Sequence, residues 1–506
     1  MLWCGLRLAP RVASPWGGPA ARLPGLPFSP RPLRERGRGR GGANRKPFTR
    51  KAGEGRPGGE AALRVRLQEA SVSTHQARHS GENRNDKTGV NQHSPQKVGA
   101  GGTAHAMMPG PVQAEFRMSE NPETHEVAER PRISWTEGDV AHSADWRSTA
   151  GLPPPRRVVV AADTLSADSA YRLACEGTAL LWRGDFQNAR QLLQALMRRV
   201  GRKTRKPSES PVEAFHQHRL AQSQRARTLG MLLLPFEADH RIPLRRAPDV
   251  QAACQEVYGD ATAPYVASLR ELLGLIGAHE WRKKGVPVAA LGQSIHPHHG
   301  VFAPIRSEYV GLVASAPLPK PLPGLAFDIG TGTGVLAAVL AQRGIKHVVA
   351  TEQDPRALAC ARENIDRLGL AARIKLIEAD LFPPGRAALV VCNPPWLPAR
   401  PSSPLEHAVY DPDSRMLRGF LDGMAAHLAP GGEGWLILSD LAEHLGLRAR
   451  DELQQLFDAA GLKVVGKLDA RPTHPKASDP TDPLHAARAA EVTSLWRLVA
   501  KQGGAG

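Results

Sequence analysis

From Leu325 onward the chain alternates short apolar runs with stretches of helical period, the pattern of a parallel sheet with covering helices. The runs Leu325–Ile329, Val348–Thr351, Arg373–Glu378, Ala388–Cys392 and Gly434–Ser439 predict five strands. Helices are expected at Gly334–Arg343, Pro355–Leu368, about 413–428 and about 442–460, with Asp354-Pro355 as a cap and first-turn pair for the second. Leu462–Leu468 and Glu491–Ala500 add two strands across the Pro-rich loop 471–484, the last as an antiparallel edge. The sum is an α/β fold with a seven-stranded sheet over 301–506.

The preceding segment reads differently. Tyr171, Leu173, Ala174, Leu180, Leu181 and Trp182 fall on one helical face, and Phe186, Ala189, Leu192, Leu193, Leu196 and Val200 repeat at intervals of three or four. Ser210-Pro211-Val212-Glu213 is a capping box with proline at the first helical position. Further helices over about 248–258 and 263–277 complete an all-helical domain spanning 166–300. Residues 119–165 are polar and Pro-rich and read as a linker. Residues 1–118 keep neither period, and RPLRERGRGRGG opens a stretch poor in large apolar side chains. That composition buries too little surface to offset ordering entropy, so a disordered tail is expected.

Charge sharpens this division. The net charge is +17, but residues 1–118 hold 20 Lys and Arg against 7 Asp and Glu, while the remainder holds 46 against 42. A basic chain average therefore says little about the folded part. The tail has three readings: an RGG-like RNA-binding arm, a mitochondrial transit peptide, or an over-long gene model starting in truth at Met107, Met108 or Met118. The last is preferred. Five scattered cysteines without a CxxC pair suit a reducing compartment, with neither disulfide framework nor zinc site. No apolar run approaches the ~20 residues a bilayer span needs, and a cytoplasmic location is expected, or a mitochondrial one if the Arg-rich start is a transit peptide. His296, His298 and His299 lack partners at ligand spacing, so no metal is expected.

The chemistry gathers at the carboxyl ends of the strands. Asp328-Ile329-Gly330-Thr331-Gly332-Thr333-Gly334 follows the first strand, and its glycines let the backbone approach a ligand closely. The position three after Gly332 is Val335 rather than glycine, a poor match to a dinucleotide fingerprint, and GKS or GKT of a P-loop is missing. A nucleoside ligand without pyrophosphate remains. Glu352 after strand two is placed to accept from ribose hydroxyls, Asp380 after strand three from an adenine amine, and Asp328 to meet an ammonium group. Strand four runs into Asn393-Pro394-Pro395-Trp396, where two prolines force the chain out of the sheet.

DIGTGTG, the acids of ATEQDP and IEADLF, and NPPW together resemble the class I S-adenosylmethionine-dependent methyltransferases of the NPPY subgroup over about 300–500. The resemblance implies a Rossmann-like methyltransferase sheet, S-adenosyl-L-methionine as cofactor, and methylation of a planar nitrogen. It implies cofactor binding by Asp328, Gly330, Gly332, Gly334, Glu352, Asp380 and Asn393, and catalysis by Asn393, Pro394, Pro395 and Trp396. An amide or aryl-amine nitrogen is a weak nucleophile; the Asn393 oxygen and the Pro394 carbonyl would accept its N–H groups and Trp396 would stack on its plane. Phe302, Pro304 and Arg306 would contact the cofactor from the segment before the first strand, and 406–438 resembles the release-factor glutamine methyltransferases.

Two substrate classes follow. One is a glutamine amide of a release factor or ribosomal protein. The other is an exocyclic amine of adenine or guanine in rRNA or tRNA, with the basic stretches 198–206 and 282–284 on phosphate. A catalytically silent scaffold is a third reading, disfavoured by the completeness of the motifs.

Overall fold

The computed structural model describes residues 130–201, 208–473, 477 and 479–501. The tail over 1–118 lies outside the described residues.

Two sheets dominate. The second is the one the carboxy-terminal pattern announces: β9 (Leu325–Ile329), β10 (His347–Glu352), β11 (Ile374–Glu378), β12 (Ala387–Cys392), β13 (Leu428–Ser439), β14 (Leu462–Ala470) and β15 (Thr493–Ala500), in the order β11-β10-β9-β12-β13-β15-β14. Neighbours are parallel except for β15, which runs antiparallel between β13 and β14. Near-continuous apolar runs such as AALVVC are what a sheet covered on both faces requires. One face packs on Val335–Gln342, whose residues Val335 to Ala341 are all buried. The other packs on Arg415–His427 through Leu417, Phe420, Leu421 and Met424. The helix expected over 442–460 is two pieces, Leu441–His444 and Glu452–Ala459, interrupted where Gly446 takes a φ of 70°.

The amino-terminal half corrects the helical expectation. It holds a six-stranded mixed sheet, β1 (Arg132–Glu137), β2 (Val140–Trp146), β3 (Arg157–Ala161), β4 (Thr178–Trp182), β5 (Leu232–Phe236) and β6 (Tyr265–Ser268), ordered β1-β2-β6-β5-β4-β3. Three of these strands lie in the stretch expected as a linker over 119–165. The helix at 166 stops at Cys175, and TALLW continues as a strand buried at every position. Likewise YVAS is a buried strand, and the following helix starts only at Leu269, capped by the Ser268 hydroxyl. The physical reason is that a five-residue apolar run fits a helix face and a buried strand equally well. The Ser210 cap holds, its Oγ accepting from Glu213 N at 3.2 Å to open Pro211–Gly230, but Glu213 Oε2 reaches back to Glu209 N rather than to Ser210 N. A short hairpin, β7 (Val286–Val288) with β8 (Gln293–Ile295), joins the two sheets in sequence.

Helix Pro211–Gly230 grips the carboxy-terminal half. Arg219 pairs with Glu406 at 3.1 Å and lies 4.0 Å over the Tyr410 ring, while Phe215 shares a buried cluster with Leu397, Tyr410, Leu441 and Leu445.

Candidate active site

The chain leaves β9 for β10 and β11 on one side, then returns to β12 on the other. Ligands of open α/β sheets sit at such a switch, beyond the carboxyl ends of the strands. Register makes this concrete, because Val391 pairs with Asp328 and Cys392 with Ile329. The next residues, Asn393 and Gly330, therefore leave the sheet side by side. Gly330 and Gly332 both have left-handed backbone, with φ of 70° and 57°. They differ in what surrounds them: a Cβ on Gly330 would stand 2.5 Å from the Met416 methyl carbon, whereas one on Gly332 would meet nothing within 4 Å. One side of the turn is closed by protein. The other is open to a ligand.

Asp328 is buried, and its Oδ2 accepts from Thr331 Oγ1 at 2.6 Å and from Ala337 N at 2.9 Å. Its Oδ1 is buried with no partner among the described residues. Burial pushes the carboxyl up to about 6, the hydrogen bonds from Thr331 and Ala337 only partly offsetting it. A buried carboxylate oxygen without a donor is a receptor for a cation or an N–H group, which fits the ammonium role. Glu352 lies half-buried at the end of β10, raised by burial; its Oε2 accepts from Gly332 N at 3.0 Å and its Oε1 from Gln353 N and Asp354 N. These amides orient the carboxylate and tie it to the glycine turn; Oε1 already has two donors, and Oε2, with one, keeps a second acceptor direction for a hydroxyl. Asp380 is exposed and engaged otherwise, forming an ion pair with Arg415. It stands at the mouth, and its acceptor capacity is shared with that guanidinium.

Asn393 is half-buried where β12 ends, and Pro394 is buried beneath the turn. The Trp396 indole Nε1 donates to Asn393 Oδ1 at 2.9 Å, a contact that spacing alone did not suggest. An N–H donor can only face the amide oxygen, so this bond fixes which way the Asn393 amide is turned. Arg306 lies 5.8 Å over the Trp396 ring and pairs with the buried Glu491 at 3.2 Å; Ser439 Oγ donates to the other Glu491 oxygen at 2.8 Å. The segment before the first strand thus reaches the NPPW loop through Arg306, whereas Phe302 packs toward Tyr309 with ring centroids 6.4 Å apart. Beyond the loop, Leu397 N donates to Val409 O and Asp411 N to Leu397 O, lacing the loop to 409–411. Asp411 then accepts from Met416 N and Leu417 N, capping helix Arg415–His427. Arg306 and Glu491 lie 185 residues apart in sequence, and no local pattern announces their pairing.

The histidines have other roles. His296 Nδ1 meets Arg282 O at 2.6 Å and His298 Nε2 meets Glu363 Oε2 at 2.7 Å. Among the described residues no group of three His, Cys, Asp or Glu could hold a metal ion. Nor is any described helix long and apolar enough to cross a membrane. Arg282 of the second basic stretch is bound to Glu256 and Glu363, and Arg199 of the first to Asp168.

Against known proteins, residues 292–464 match the family model of the methyltransferase small domain. A release factor glutamine methyltransferase of Cereibacter sphaeroides is 35% identical over 183 residues, which cover 33% of this chain and 63% of that protein. One from Deinococcus radiodurans is 30% identical over 214 residues, covering 38% and 73%. A tRNA1(Val) (adenine(37)-N6)-methyltransferase of Shewanella loihica is 33% identical over 164 residues, covering 30% and 67%. The chain thus spans less than two thirds of the length of the Cereibacter protein.

Proposed function

Since the chain belongs to the methyltransferase small domain family, we propose that it moves a methyl group from S-adenosylmethionine to a planar nitrogen. The acceptor we propose is a glutamine side-chain amide in a release factor or ribosomal protein. The observation that carries this reading is the amide of Asn393, locked by Trp396 beside the glycine turn and the unpartnered Asp328 oxygen.

The residues fit that donor. Asp328 Oδ1 would take its ammonium, Glu352 its ribose hydroxyls, and the open side of Gly332 its body. When bound, S-adenosylmethionine would supply a methyl carbon on a sulfonium, which leaves as a neutral sulfide while the acceptor nitrogen gives up one proton to solvent. The chain's own work is to make a poor nucleophile face one direction. With one Asn393 Oδ1 lone pair engaged by the indole, the other accepts one acceptor N–H, and the Pro394 carbonyl accepts the second. The nitrogen lone pair is then turned out of conjugation. Pro394 and Pro395 hold these acceptors before substrate arrives, so little reorganisation is left for the reaction itself. Arg306, over the Trp396 ring and paired with Glu491, supports the same loop.

The test is transfer of labelled methyl to a translation-factor and ribosome extract, followed by protease or nuclease digestion. Release of label by protease alone supports the glutamine reading. Release by nuclease would move the assignment to an exocyclic adenine amine, the activity named for the Shewanella relative. Asn393→Ala is expected to lose transfer by about a hundredfold or more while keeping S-adenosylhomocysteine binding by calorimetry. Full activity in that variant would overturn the role given to Asn393.

A further inference from the structure

A second cavity, of about 500 Å³, lies where the segment 146–149 and helices Gln251–Tyr258 and Leu269–Lys284 face His298, His299 and helix Pro355–Arg367. Its lining carries four arginines (Arg130, Arg147, Arg282 and Arg356) against one carboxylate, Glu256. Not all of that charge is available. Arg282 is bound to Glu256 and Glu363, and Arg356 to Asp354.

Arg147 is different. It is 6% exposed, and its partners are the main-chain carbonyls of Tyr258 and Asp260, at 3.0 and 3.2 Å, and the faces of the Tyr265 and Tyr258 rings. These partners carry no formal charge. Its Nε is buried with no acceptor among the described residues. A buried guanidinium whose direct partners are neutral is costly, and a cavity beside it gives an anion room to repay that cost. Burial, and after it the nearby Arg130, lower its pKa by more than Tyr265, Tyr258 and Asp145 raise it. His299 adds no positive charge at neutral pH, since burial and Arg356 push it down to about 4.

We propose that this cavity binds a phosphate group carried on a nucleotide, with Arg147 and Arg130 as its cationic ligands. The volume suits a mononucleotide. A guanidinium offers the donor fork that phosphate oxygens accept, and Ser148 and Thr149, whose side chains hydrogen-bond to Glu271, stand on the same wall. Trp146 and Tyr258, the latter with Arg147 over its ring, add apolar edges to the lining. The phosphate has two sources, a free nucleotide or one nucleotide of an RNA strand, and the chemistry at the arginines is the same for both. The inference does not depend on the methyl-transfer reading, because none of these residues belongs to the Gly330–Gly334 turn or the NPPW loop.

Calorimetry on the full chain with AMP, inorganic phosphate and adenosine, and anisotropy with a labelled single-stranded oligoribonucleotide, test it. AMP and phosphate should bind and adenosine should be weaker by about tenfold or more, reflecting the charge-assisted contacts. Arg130→Ala, at an exposed position, should weaken AMP several-fold without moving the thermal midpoint, and Arg147→Met should weaken it further. Displacement of AMP by the oligonucleotide would identify an RNA strand as the source, and AMP binding undisturbed by it a free nucleotide. Failure of AMP, phosphate and oligonucleotide alike to bind at up to about 1 mM would overturn the proposal. So would AMP binding that a folded Arg130→Ala leaves unchanged, and this arm stands even if Arg147→Met does not fold.

Discussion

Trp396→Phe isolates one hydrogen bond at the proposed site. The substitution keeps an aromatic face under Arg306 and removes the single N–H that donates to Asn393 Oδ1 at 2.9 Å. A neutral hydrogen bond of this kind is worth about 0.5–1.5 kcal/mol net. If that energy holds the amide in its reactive orientation, the loss appears as a roughly 2- to 12-fold fall in kcat, since about 1.4 kcal/mol is tenfold in rate. The affinity for S-adenosylhomocysteine should change little, because among the residues assigned to the cofactor the indole hydrogen-bonds only to Asn393, whose proposed work is to hold the acceptor nitrogen. The assay is initial-rate transfer of labelled methyl at saturating donor and acceptor, beside calorimetry with S-adenosylhomocysteine. An unchanged kcat would refute the orienting role of the indole. A loss beyond about a hundredfold, or loss of cofactor binding, would show that the ring supports the site by packing rather than by its N–H.

Two further outcomes follow from the cofactor end. The Asp328 carboxyl is raised by burial from its usual 3.8 to about 6, so its contribution to folding stability is full below about pH 4 and lost as pH rises through about 6. A cationic ligand needs the ionised form, so the affinity for S-adenosylhomocysteine should climb as pH rises through about 6; Asp328→Asn should bind weakly with no such rise, and an equal pH slope in both proteins would refute the assignment. Gly332→Ala places a methyl in open space at a φ of 57°, so it should cost folding only about 1–2 kcal/mol in urea denaturation. It should cost S-adenosylhomocysteine more than about tenfold in affinity, and equal affinity would show that nothing docks over that glycine.

The carboxy-terminal half was legible because each of its motifs coincides with a boundary the backbone must respect. LAFDI ends in glycines that take positive φ, and AALVVC ends in prolines, so strand ends and site residues are marked by the same letters. The amino-terminal half was not, because TALLW, LLLPF and YVAS are apolar at consecutive positions and carry no period of their own. RISWTE and RVVVA were short enough to be lost in polar surroundings. At the site, sequence located Asp380 after its strand but could not supply Arg415, which comes from a helix 35 residues later and takes up that acid. The bond from Trp396 to Asn393 depends on how a two-proline turn folds back on itself, which composition does not encode.

The grip of helix Pro211–Gly230 on the segment after NPPW bears on how this protein could be re-engineered. A chimera joined at residue 300, the boundary that sequence texture suggests, would replace Phe215 and Arg219 together with the rest of the amino-terminal half. Tyr410 would lose both its aromatic neighbour and its overlying guanidinium, and Glu406 its Arg219 contact. Because Asp411 N donates to Leu397 O just behind that seam, slack introduced there reaches the proposed catalytic loop within a few residues. A module swap meant to redirect substrate choice has to carry this helix along with the carboxy-terminal half, as an inseparable part of the chassis.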